Sequence, residues 1–144
     1  FVFLVPKFVI KYLSRRAPDF FDWRSGVLEF TLDEDLLQEE YQVIHSRKYI
    51  DCIALTPQQR REEIFKIQAL IEELKQTTKR KSALYVDQGL LHAASKEYEN
   101  AITSFDKALE IKSEYHSAWY NRGIALADLG RHKEAITSFD KALE

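Results

Sequence analysis

From Thr56 onward the apolar positions recur every three or four residues, the spacing that gathers side chains onto one face of an α-helix. Ile64, Ile67, Ile71 and Leu74 make such a stripe over about three turns. Arg60, Arg61, Glu62, Glu63, Glu72, Glu73 and Lys75 fill much of the remaining surface. Thr56-Pro57-Gln58-Gln59 reads as a helix start. The Thr56 hydroxyl can cap an orphan amide, Pro57 suits the first helical position, and Gln59 can reach back to the cap. The pattern predicts a long connecting helix over residues 56–81. It is either the seam of a short coiled coil or, the favoured reading, a cap on the helix that follows.

A second pattern dominates the rest. Ala101-Ile-Thr-Ser-Phe-Asp-Lys-Ala-Leu-Glu110 recurs letter for letter as Ala135-Ile-Thr-Ser-Phe-Asp-Lys-Ala-Leu-Glu144, 34 residues later. In the same register Tyr85 aligns with Trp119, Gly89 with Gly123, Ala93 with Ala127 and Tyr98 with His132. Each unit reads as two helices, over about residues 82–94 and 98–111 in the first and 117–129 and 133–144 in the second. Gly130-Arg131 makes the second turn, with glycine suited to the left-handed conformation that ends helices. The first turn has Ser95-Lys96 where the second has Leu129-Gly130, and is expected to be less well specified. Gly89 and Gly123 are expected to let paired helices approach closely, with Tyr85 and Trp119 filling the space between them. Phe105 and Phe139 are expected to insert between repeats, and Ala101, Ala108, Ala135 and Ala142 to be small where the next helix crosses.

The run Ala118-Trp-Tyr-Asn-Arg-Gly-Ile-Ala-Leu-Ala-Asp-Leu-Gly-Arg131, with Glu134-Ala-Ile136 and Phe139-Asp-Lys-Ala-Leu-Glu144, resembles the tetratricopeptide repeat family. The resemblance covers Ser82 to Glu144, as units 82–115 and 116–144, the second incomplete. It implies an all-α fold of antiparallel helical hairpins stacked as a short α-solenoid. A long capping helix and a small, mostly helical N-terminal segment precede them. Hairpins of this family curve, and the first helix of each lines the concave side. The resemblance therefore implies a protein-binding groove lined by Ala83, Val86, Asp87, Leu90 and Ala94 in the first unit. In the second unit the lining is Ser117, Tyr120, Asn121, Ile124 and Asp128. Exposed helix positions are usually polar, yet Val86, Leu90, Tyr120 and Ile124 are apolar, which marks a contact site. Some family members clamp a peptide's terminal carboxylate with Lys, Arg and Asn. Only Asn121 matches here, and Asp87 and Asp128 would repel a carboxylate. The expected ligand is an apolar or amphipathic helix.

The first 55 residues are harder to read. Phe8, Val9, Tyr12 and Leu13 fit a short amphipathic helix ended by Ala17-Pro18. Residues 18–26 are aromatic and turn-rich. Leu28, Phe30 and Leu32 alternate as in a strand, and Leu36, Leu37, Tyr41 and Ile44 suggest a helix over about residues 33–47. The chain starts without Met and is expected to be a piece of a longer protein.

Composition removes several classes of function. Hydrophobic residues at 45% and charged residues at 31% are the balance of a globular chain. A net charge of -2 lacks the basic excess of a nucleic-acid binder, and Lys79-Arg80-Lys81 reads as a solvated linker. The N-terminal apolar run is too short for a membrane span and lacks a signal-peptide pattern. The single cysteine, Cys52, excludes an internal disulfide and points to a reducing, cytoplasmic setting. It reads as a buried small hydrophobe. His45, His92, His116 and His132 show no metal-ligand spacing. There is no phosphate loop or nucleophile elbow, and the carboxylate pairs are adjacent on helices and point apart. No catalytic residue, metal or cofactor is expected. The sequence thus predicts a non-enzymatic scaffold or adaptor, with self-association through the open face of the last repeat as a second binding mode. Two readings compete with it. One is the C-terminal junction of a larger signalling NTPase or protease whose catalytic domain lies upstream, and the other is a structural spacer.

Overall fold

The computed structural model describes residues 41–45, 48–73 and 78–144. Residues 41–45 are helical. Six helices with defined ends follow: α1 Tyr49–Ala54, α2 Pro57–Glu73, α3 Thr78–Ala94, α4 Tyr98–Ile111, α5 His116–Asp128 and α6 His132–Leu143. Among the described residues there is no strand, and the fold is all-α. The sequence readings at residues 8–13, 18–26 and 28–32 lie outside the described residues, as do Leu74 and most of the helix expected over 33–47.

The start of α2 forms as its sequence dictates. The Thr56 amide donates to Gln59 Oε1 at 2.8 Å, and the Gln59 amide donates to Thr56 Oγ1 at 3.2 Å. This reciprocal pair satisfies two donors that helix geometry leaves orphaned. The buried face of α2 is Ile64, Ile67, Leu70 and Ile71. It packs with Leu84 and Leu91 of α3, so α2 caps the stack rather than forming a coiled-coil seam. One boundary differs from expectation. α3 begins at Thr78, four residues before Ser82, so Lys79, Arg80 and Lys81 form its first turns and not a linker. Three long cationic side chains in a row hide the helix from a pattern search, although Lys and Arg are good helix formers.

α3 pairs with α4 and α5 with α6, and α4 meets α5 between the hairpins. The glycines fix the closeness of each pair. A Cβ at Gly89 would lie 2.5 Å from Phe105 Cε1, and one at Gly123 would lie 2.6 Å from Phe139 Cε1. Each Phe therefore seats on the glycine of its own hairpin, and Phe105 also belongs to the core that joins the two repeats. Trp119 packs against the core of the hairpins, as Tyr85 does. It is half-buried, and its Nε1 donates to the Ser113 carbonyl at 2.8 Å, tying α5 to the loop that precedes it. An indole N–H needs a partner, and this loop supplies one.

The core shared by the hairpins holds Val86, Ala101, Ile102, Phe105, Ala108, Leu109, Ala118, Ala125, Leu126 and Ala135. The two identical decapeptides sit in opposite surroundings. Ile102 is 5% exposed and Leu109 is 8% exposed, covered by the second hairpin. Their counterparts Ile136 and Leu143 are 60% and 86% exposed.

Candidate functional site: the face of the first helices

The residues expected to line a groove fall on α3 and α5, and the structure gives the two sets different surroundings. On α5, Tyr120 is 55% exposed and Ile124 is 40% exposed. Ser117 and Asp128 are exposed beside them, and Asn121 is half-buried. The Asn121 side-chain amide donates to the Ser117 carbonyl one turn back, at 2.8 Å. That leaves its carbonyl oxygen and its second N–H able to meet a ligand. Next to this patch His116, Ser117, Tyr120, Phe139, Ala142 and Leu143 line an open apolar hollow of about 480 Å³.

On α3, Ala83, Val86 and Asp87 are buried, and Leu90 and Ala94 are half-buried. The chain itself covers part of this face. Ile44 and Cys52, 2% and 3% exposed, join Ile67, Leu84 and Leu91 in one apolar cluster, with Leu90 and Ala94 packed against it. Ile44, Cys52, Ile67, Asp87, Leu90 and Leu91 enclose a gap of about 10 Å³, at the lower limit for a single water. His45 Nδ1 lies 3.1 Å from Asp87 Oδ2. Burial pushes the Tyr41 phenol above its usual value, with the Asp87 carboxylate and Tyr115 adding to the shift. Burial also raises the Tyr49 phenol, with Tyr98 and Asp128 adding. Residues 41–45 and α1 thus lie against α3.

Arg60 holds this segment in place. Its Nη1 donates to the Leu55 carbonyl at 2.6 Å and the Cys52 carbonyl at 3.3 Å, and its Nε donates to Ser95 Oγ at 2.9 Å. A cation at a helix C-terminus satisfies orphan carbonyls and complements the helix dipole. One guanidinium therefore joins the end of α1 to the turn after α3. Nothing local in the sequence announces it, because Arg60 reads as one more charge on α2.

The second joint missed by sequence reasoning lies between the hairpins. Arg122 Nε donates to Asp106 Oδ1 at 2.6 Å, and Arg122 Nη1 donates to Ser138 Oγ at 2.7 Å. It links α5 to α4 and α6 together. Ser138 is fully buried, so this bond satisfies a hydroxyl that water cannot reach.

The tetratricopeptide repeat family model matches residues 80–144, which carry the two hairpins, the glycine–phenylalanine contacts and the 34-residue period. Residues 80–144 are tetratricopeptide repeats. Repeats of this family are, in general, scaffolds for protein–protein interaction. Over 47 residues the chain is 40% identical to anaphase-promoting complex subunit 3 of Schizosaccharomyces pombe. That stretch is 33% of this chain and 7% of the subunit, so the chain spans a small part of that relative. No solved structure matches. Among the described residues no group of His, Cys, Asp and Glu side chains is placed to hold a metal ion. Among them, too, no helix is long and apolar enough to cross a membrane.

Proposed function

We propose that the chain is a non-catalytic adaptor whose tetratricopeptide repeats hold an apolar or amphipathic helix of a partner protein. The observation that carries the reading is the exposure of Tyr120 and Ile124 on the open face of α5, with Asn121 and Asp128 beside them. Two large apolar side chains one turn apart give a helical ligand its anchors. The neighbouring Asn and Asp select polar or cationic groups over a carboxylate. The family's general role as a protein-binding scaffold supports this, and so does the name of the yeast relative, a subunit of a complex. The test is affinity capture from the source lysate, followed by binding of the purified partner to the chain and to a Tyr120→Ala, Ile124→Ala variant. Loss of about tenfold or more in affinity with unchanged helix content fits hot-spot anchors. Equal binding by both proteins would rule out the α5 face.

The apolar hollow beside Leu143 favours a second reading, association of two copies through α6. Sedimentation velocity across a hundredfold range of concentration, on the chain and on Leu143→Asp, decides it. A mass that stays monomeric throughout would exclude this reading.

A further inference from the structure

The hollow between α5 and α6 has a filled twin in the first repeat. Tyr120, Phe139, Ala142 and Leu143 help to build the hollow. At the same places 34 residues earlier stand Val86, Phe105, Ala108 and Leu109, and all of these are buried. Phenylalanine, alanine and leucine are the same in both copies, and valine stands in the first where tyrosine stands in the second. The first repeat therefore shows this surface with its cover on, and the cover can be read residue by residue.

The cover is the start and middle of α5. Ala118 and Ala125 lie in one buried cluster with Val86, Phe105, Ala108 and Leu109, and Tyr115, just before the helix, packs against that cluster. Ala118, Arg122 and Ala125 are spaced by four and three residues, so they share a helix face. Arg122 shows where that face points, because its Nε donates to Asp106 Oδ1 of α4 at 2.6 Å. The covering helix thus brings a tyrosine at its start, two small residues that let the backbones come close, and one guanidinium for a carboxylate. Asp140, the counterpart of Asp106 on α6, stands exposed and can receive the same group.

We propose that the hollow is a socket for a helix of a partner protein that carries the pattern of α5, Tyr-x-x-Ala-x-x-x-Arg-x-x-Ala. The inference goes beyond the readings above, since it concerns neither the open face of α5 nor a pairing of α6 with itself. A second copy is a poorer source of such a helix, because its own α5 already turns this face to α4. The partner brings the cation that matches Asp140, and its tyrosine and alanines meet an apolar wall.

The experiment titrates the full chain into a labelled synthetic peptide with the sequence of residues 113–129, read by fluorescence anisotropy. The peptide carries Gly123→Ala, because the glycine seats Phe139 in the chain and weakens a lone helix. The expected result is saturable one-to-one binding, weakened about tenfold or more by Leu143→Asp in the chain. Leu143 is 86% exposed, so that variant keeps its fold. Arg122→Glu in the peptide should weaken binding about threefold or more, and Asp140→Lys in the chain should restore it. Recovery by the swapped pair places the peptide on α6, since α4 offers Asp106 instead. Absence of binding overturns the proposal, and so does binding that ignores both Leu143→Asp and Asp140→Lys. If Ile124→Ala, a change outside the hollow, abolishes binding, the peptide lies on the α5 face. The socket then falls while the groove reading stands. If Leu143→Asp dissolves a dimer that the peptide does not compete with, the hollow belongs to a second copy and the proposal is again overturned.

Discussion

At the scale of single residues, the two turns between paired helices make a natural comparison. Lys96 has φ 60° and Gly130 has φ 77°, at corresponding positions of the two repeats. Both helices end in the same way. The Glu97 amide donates to the His92 carbonyl at 2.9 Å, and the Arg131 amide donates to the Leu126 carbonyl at 2.8 Å, the long reach of a Schellman ending. A lysine Cβ strains this conformation and a glycine does not. Lys96→Gly is expected to stabilise the fold by about 0.5–1 kcal/mol, the αL penalty less glycine's entropy cost, read as a raised urea midpoint. The helical glycines respond in the opposite sense. Gly89→Ala drives a methyl into Phe105, which is fully buried and has nowhere to go. Gly123→Ala meets Phe139, which is half-buried and has open space beside it. Gly89→Ala should cost about 1–3 kcal/mol by overpacking and Gly123→Ala distinctly less. Equal losses in parallel denaturation curves would contradict that account.

At the scale of elements, polar joints set how helices meet. Arg122 ties three helices, and Arg122→Met keeps the length of the stem while leaving buried Ser138 without this donor. The expected loss is about 1–3 kcal/mol, with Ser138→Ala restoring part of it in the double variant. A second joint closes the first hairpin. His92 Nδ1 lies 2.6 Å from Glu97 Oε2, and this hydrogen bond is the main reason that the Glu97 carboxyl lies below its usual value. A depressed carboxylate stabilises the fold above its unfolded pKa, and that contribution fades as pH falls through the folded value. Glu97→Gln should therefore be less stable than the parent at pH 7. The gap should narrow steadily below about pH 4.5 and vanish in stronger acid. Glu97 is about half exposed, so the gap at neutral pH stays below about 1 kcal/mol. A gap independent of pH would rule out the Glu97 carboxylate as its source.

Elements also show where the sequence was readable. The hairpins of residues 82–144 declare themselves because the 34-residue period repeats glycine, aromatic and alanine at positions where only those sizes pack. The cap on α2 is local chemistry among four consecutive residues, and it forms as read. The start of α3 was hidden because Lys79, Arg80 and Lys81 carry no apolar period. The cover over α3 was hidden for a different reason. Ile44 meets Leu91 across a separation that no pattern reports, so Asp87 reads as groove lining although it is buried, while Val86 is buried in the core shared by the hairpins. Tyr120 and Ile124, by contrast, are exposed.

At the scale of the whole molecule, helices stack in a line and each answers mainly to its neighbours. α2 covers one side of the first repeat, and the second repeat covers the other. The twin decapeptides make this arrangement measurable. Ile102 to Glu110 and Ile136 to Glu144 share every letter, so intrinsic amide chemistry and helix propensity are the same in both. Whatever separates their hydrogen-exchange protection comes from what lies against them. Protection around Ile102 should approach that of global unfolding, while Ile136 should exchange by fraying, orders of magnitude faster. The ratio of the two rates is an equilibrium constant for one helix leaning on the next. The protein thus carries its own reference compound, and the cooperativity of its stack can be read from a single unmutated sample.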